Sequence, residues 1–171
     1  LVNALQTMFK FLVLRINRVF VDVFTFEFSN FYSKKKYSNI VNAYNFQKKY
    51  VSVYKPAGNF QDMPVVVLLH GVYGSHWAWS LNAEVHLTMQ QKIDEGQLPP
   101  MMLVMPSDGL FQDGSAYLSH HTADYEKWIS HEVPELIKEQ YEEVSENSSF
   151  FLAGLSMGGY GALRIGACMS N

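Results

Sequence analysis

The stretch FFLAGLSMGGYGALRIGACMSN, residues 150–171, constrains the fold of this chain more than any other part of it. An apolar run of strand character passes through a glycine-flanked serine straight into a run of small and helix-forming residues, with no loop between. Such a turn forces the strand end against the first helical turn, so glycine is needed on both sides. Gly154 and Gly158 fill those places in GLSMG, and Gly159 and Gly161 let the helix lie close to the strands. A strand that leads at once into a helix needs a sheet for the helix to pack on, which points to the α/β class.

The rest of the chain has the same alternation. VFVDVFTFEF (residues 19–28) is β-branched and aromatic with two acidic residues, as suits a partly exposed strand near a sheet edge, and SNFYSKKKYSN follows as a polar turn. QKKYVSVYKP is a second extended run, ended by Pro56 and AGN. PVVVLLHG (residues 64–71) is continuously apolar between Pro and Gly, the signature of a strand covered on both faces, and PPMMLVMPSDG repeats it. Residues 80–95 read as a helix stopped at Gly96. Residues 122–143 carry Ile129, Val133, Leu136 and Ile137 at helical spacing, with Pro134 imposing a kink or a new helix start. Strand and helix alternate, so the expected architecture is a mostly parallel sheet with helices on both faces, in one domain spanning residues 1–171.

Composition narrows the function classes. With 48% hydrophobic and 15% aromatic residues, 171 residues can bury a substantial core. Thirteen basic and sixteen acidic residues are interspersed, which leaves no basic stripe for a phosphate backbone, so no nucleic-acid partner is expected. Cys168 is the single cysteine, excluding an internal disulfide framework and a cysteine-rich metal site. The apolar FKFLVL (residues 9–14) is interrupted by Arg15 and Arg18 and lacks a small-residue cleavage site, so it does not read as a signal peptide. No apolar run reaches the ~18 residues of a membrane span. The chain reads as soluble, with a cytoplasmic location favoured over a secreted one, no metal and no cofactor.

A serine hydroxyl is a poor nucleophile until a base takes its proton and donors stabilise the oxyanion formed on attack. The turn around Ser156 lifts that hydroxyl out of the sheet edge and aims the first N–H groups of the helix at it, which makes GLSMG a candidate nucleophile elbow. Gly-rich strand-to-helix turns also bind phosphates, but neither GxGxxG nor a lysine after the last glycine is present. A second feature, LLHGVYGSHWAW (residues 68–79), ends a strand with HG. The amides of Val72 and Met157 would then form the two sides of an oxyanion hole, with Gly71 allowing close approach to a substrate. His70 is either catalytic or a hydrogen-bonded loop histidine.

Together VVVLLHGVYGSHWAW, MPSDG, DYEKWISHEVPELI and FFLAGLSMGGYGALRIG resemble the esterase family of the α/β-hydrolase fold. Its members include feruloyl and acetylxylan esterases, S-formylglutathione hydrolases, enterochelin esterases and antigen 85-type mycolyltransferases. The similarity runs from about Tyr50 to the C-terminus, and residues 1–49 show no clear match. The resemblance implies Ser156 as nucleophile, Val72 and Met157 as oxyanion donors, and PSDGLFQDGSAYLSHH as a loop near the site, with Asp113, Ser115 and Tyr117 as candidate borders of the substrate pocket.

The triad of this fold runs Ser, then Asp or Glu, then His. No acidic residue or histidine follows Ser156, so the expectation is a truncated domain that stops inside the helix after the elbow and lacks the last strands with the catalytic acid and base. His70, His76, His86, His120, His121 and His131 lie upstream, in places where the family puts neither role, and the HisHis pair has no further ligand at metal-binding spacing. The leading reading is a serine carboxylic ester hydrolase working through an acyl-enzyme on a small-molecule or carbohydrate-linked ester. Alternatives are an acyltransferase of the same fold, or an inactive fragment or carbohydrate-binding module using Trp77, Trp79, Tyr117 and Trp128; Trp128 is read more simply as core. The exposed sheet edge of such a fragment would favour aggregation.

Overall fold

The computed structural model describes residues 11–16, 21–24, 38–44, 47–108 and 114–169, with side chains described from Lys49 onward. Seven strands form one sheet: β1 (Phe11–Ile16), β2 (Val21–Phe24), β3 (Ser38–Tyr44), β4 (Gln47–Tyr54), β5 (Val65–Leu69), β6 (Met102–Pro106) and β7 (Phe150–Gly154), in the order β2-β1-β7-β5-β6-β4-β3. The three central strands run parallel, with Val65 beside both Phe150 and Met102, while β4 and β1 flank them antiparallel. β1 is built from the FLVLRI segment and covers the outer edge of β7 through Leu14↔Leu152. The elbow strand is thus flanked on both sides, and the sheet ends at β2 and β3.

The apolar run of β5 serves two cores at once. Val65, Val67 and Leu69 are fully buried in a cluster with Trp128, Ile129, Val133, Ile137, Ala162 and Ile165. Leu68 points the other way, into a cluster with Trp79, Val85, Met89, Leu103 and Ala153. Each such side chain, fully buried, contributes about 1.5–3 kcal/mol, and together they explain why this strand reads as continuously apolar. Helix α1 (Val85–Asp94), entered through a π-helical turn Ala78–Asn82, lies on the second face. Helices α2 (Val133–Gln140) and α3 (Met157–Cys168) lie on the first.

Of the two expected alternatives, Pro134 takes the start of a new helix. A short turn Tyr125–Lys127 runs into a π-helical segment Trp128–Glu132, and α2 begins there with Pro134 in its first turn. Gly96, at φ 70°, follows the end of α1 as expected.

The connections decide where a site can form. The segment leaving β5 crosses one face of the sheet through α1, and the segment leaving β7 crosses the opposite face through α3. β5 and β7 are neighbours, so their carboxyl ends bound a crevice at a topological switch point, where open α/β sheets bind ligands. His70–Gly71 and Leu155–Ser156 lie at those two ends.

Candidate active site

Ser156 stands between β7 and α3 with φ 55° and ψ −117°, a backbone conformation that side-chain-bearing residues rarely adopt. Serine at a helix start ordinarily accepts a hydrogen bond from the first-turn amides. Ser156 makes no such capping bond, and the residue is exposed. The strained turn thus holds the hydroxyl away from the helix it precedes.

The glycine pattern has a steric cause. A Cβ on Gly158 would lie 2.1 Å from the carbonyl oxygen of Leu69, and one on Gly154 would lie 2.3 Å from the backbone of Gly158. The helix is therefore seated on the ends of β5 and β7 at a separation that only glycine permits. The Leu155 amide donates to the Leu69 carbonyl at 3.2 Å, extending the β5–β7 ladder one step into the turn. A Cβ on Gly71 would be 3.5 Å from the Cβ of Ser156, so the loop after β5 meets the serine directly. Met157 opens α3, where first-turn N–H groups have no intrahelical acceptor, and Val72 follows Gly71 in the facing loop, 42% exposed. The structure thus brings together Ser156, Met157, Gly71 and Val72, framed by Gly154 and Gly158.

The downstream loop is placed differently from its expected role. Ser115 and Tyr117 are 1% and 0% exposed, so neither lines an open pocket. Ser115 Oγ accepts from the Tyr117 amide, and the Tyr117 hydroxyl donates to the His70 carbonyl at 3.0 Å. Burial, aided by the Asp108 carboxylate, pushes the Tyr117 phenol well above its ordinary range, which keeps it a donor. Asp113 lies outside the described residues. Of the aromatics considered for sugar stacking, Trp79, Tyr117 and Trp128 are buried, Trp128 donating to the Ser107 carbonyl, and Trp77 remains 36% exposed.

His70 is the hydrogen-bonded loop histidine of the two alternatives. It is 2% exposed, with Nδ1 at 2.8 Å from the Gly71 carbonyl and Nε2 accepting from the Asp108 amide at 3.1 Å. With the Gly71 oxygen an acceptor and the Asp108 amide a donor, the tautomer assigned from these partners has Nδ1 donating and Nε2 accepting. Nε2 also lies 3.5 Å from Asp108 Oδ1. His76 bonds Ser52 Oγ at 2.7 Å and stacks on Tyr50; His120 bonds the Ser115 carbonyl at 2.8 Å. Sequence reasoning missed Asp108 as a buried anchor and Arg164 as a bridge from the Tyr117 carbonyl to Glu126. MPSDG was visible, but nothing in it separates a buried Asp from a solvated turn residue. Among the described residues, no group of three or more His, Cys, Asp or Glu side chains could hold a metal ion, and no helix is long and apolar enough to cross a membrane.

A family model described as "Putative esterase" matches residues 45–168. An acetyl esterase from Caldicellulosiruptor saccharolyticus is 29% identical over 148 residues, covering 80% of this chain and 48% of its own length. Among solved structures, a ferulic acid esterase superposes with a TM-score of 0.66 at 23% identity, over 77% of this chain and 53% of its own. The S-formylglutathione hydrolase of Agrobacterium tumefaciens superposes with a TM-score of 0.56 at 19% identity, over 74% of this chain and 51% of its own. The chain spans about half the length of these relatives.

Proposed function

We propose, on the premise that this chain belongs to the "Putative esterase" family and has its α/β-hydrolase fold, that it carries the nucleophile and oxyanion half of a serine carboxylic ester hydrolase. The observation that carries the reading is the uncapped, exposed Ser156 at φ 55°, seated between two glycines that allow no Cβ. A serine used only to start a helix has no need of that strain.

In this mechanism Ser156 Oγ attacks the ester carbonyl while a base takes its proton. The carbonyl oxygen becomes an oxyanion, which the Val72 and Met157 amides bind. The C–O bond then breaks, the alcohol leaves with the proton, and water repeats the sequence to release the acid and restore the serine. Hydrolysis is preferred to acyl transfer because the relatives named for their reactions are esterases and a hydrolase. The substrate is a small-molecule ester; the apolar Val72, Tyr73 and Trp77, 42%, 78% and 36% exposed on the loop after β5, would offer an aromatic acyl group a face.

The base and acid are proposed to lie beyond Asn171 in the full-length protein. Residues 157–171 contain no Asp, Glu or His, and His70 is committed to its own loop. Full activity is accordingly expected of the full-length form, with this chain reacting only slowly. The test is labelling with a fluorophosphonate probe alongside hydrolysis of p-nitrophenyl acetate. Weak labelling that disappears in Ser156→Ala, and turnover in the full-length protein that the same substitution abolishes, are expected. Labelling or turnover that persists in Ser156→Ala would overturn the assignment.

A further inference from the structure

We infer that His70 and Tyr117 are positioning residues: a buried junction of His70, Asp108, Ser115 and Tyr117 holds the Gly71–Val72 peptide against Ser156 and so aims the Val72 amide. The inference rests on the reading of that amide as an oxyanion donor. The carbonyl of Gly71 and the N–H of Val72 belong to one planar trans peptide and point in opposite directions. Whatever grips the carbonyl therefore sets the direction of the amide.

Two donors grip it. His70 Nδ1–H lies 2.8 Å from the Gly71 oxygen, and the Gly74 amide reaches the same oxygen at 3.1 Å to close a four-residue turn with Tyr73 at φ 64°. The His70 ring is itself held from behind, since Nε2 accepts the Asp108 amide at 3.1 Å. Asp108 Oδ2 accepts the Ser115 amide at 2.7 Å, and Ser115 Oγ accepts the Tyr117 amide at 3.0 Å. The Tyr117 hydroxyl closes the circuit on the His70 carbonyl at 3.0 Å. A Cβ on Gly161 of α3 would come within 2.6 Å of the Tyr117 ring, so the junction also registers the helix that carries Ser156 against the loop.

Four polar side chains at 2% exposure or less would be costly as mere filling for this space. Satisfied and mutually linked, they fix orientation in a way apolar packing does not.

The experiment compares His70→Gln, His70→Asn and Tyr117→Phe in the full chain. Asn keeps a donor at the position of Nδ1, close to the Gly71 oxygen, whereas Gln carries its amide out toward the position of Nε2. Backbone order parameters are read by 15N relaxation at Val72, with α2 as the control for folding. Gln at position 70 and Phe at 117 are expected to take Val72 from a rigid value of about 0.85 to below about 0.6, while Asn stays near the wild type. The Ser156-dependent turnover of p-nitrophenyl acetate should fall about tenfold in kcat with KM within about twofold, less than the ~10²–10³ typical of removing an oxyanion donor outright. Unchanged Val72 order in both His70→Gln and Tyr117→Phe would overturn the proposal, as would equal behaviour of the Asn and Gln variants. If His70→Gln loses α2 order as well, Tyr117→Phe decides, because it removes a single hydroxyl and leaves the ring in place. Turnover surviving in Ser156→Ala would defeat the esterase reading alone, and the order parameters would still judge the positioning.

Discussion

Ser156 shows how much a single residue can hold. A non-glycine residue in a sparsely populated backbone region costs of order 1–3 kcal/mol, and this one sits at φ 55°, ψ −117°. Replacing it by glycine removes the strain at the expense of added freedom in the unfolded chain. Ser156→Gly is expected to raise the melting temperature by ~2–4 °C, the shift for about 1 kcal/mol in a domain of this size, while abolishing labelling by a fluorophosphonate; calorimetry checks the first and mass spectrometry the second. The serine and its glycines were legible in the sequence because a steric requirement at fixed spacing leaves a mark there. The role of His70 was not, because HG reads the same whether the ring faces the site or lies buried.

His76 carries a pH dependence of its own. Burial first, and nearby His70 second, hold it below its ordinary value of 6.5. As pH falls through 6.5 the unfolded chain takes up a proton that the folded one resists. The stabilisation from the neutral ring is therefore complete above 6.5 and is lost toward the lowered value. His76→Gln should flatten the loss of stability in urea melts below pH 6.5, and an unchanged slope would mean that another group titrates there.

Among the elements, the junction of β7 with α3 sets the limits. Gly158 has no room for a methyl group, since the Leu69 carbonyl oxygen would sit 2.1 Å from it and is itself held in the ladder. Gly158→Ala is expected to destabilise by about 3 kcal/mol, at the upper end of overpacking in a core, read as a lower urea midpoint. Strands β5, β6 and β7 were predictable as buried parallel strands because a short apolar run closed off by Pro or Gly is too brief for a helix and too apolar for a surface strand. Ser115 and Tyr117 were misjudged for the opposite reason. Loop residues lack a periodicity that separates inward from outward, and only the fold showed that Asp108 and His70 draw this loop into the core.

At the scale of the molecule, stability rests on the two clusters that sandwich the sheet. Ile137, fully buried between α2 and the sheet, should cost about 2–5 kcal/mol on truncation to alanine. Leu81, 60% exposed, should cost within about 0.5 kcal/mol. Chemical denaturation of both variants tests whether the first face is the principal core.

The sequence by itself determined the strand-to-helix turn, its serine and the α/β alternation, because close backbone contact and burial on both faces restrict which residue types are tolerated at each position. Only the tertiary structure decided that the ends of β5 and β7 meet, that Gly71 abuts Ser156, and that a buried histidine grips the carbonyl behind the Val72 amide. Those relations depend on strands far apart in the chain, and no local pattern records which way a side chain turns when a distant strand arrives beside it.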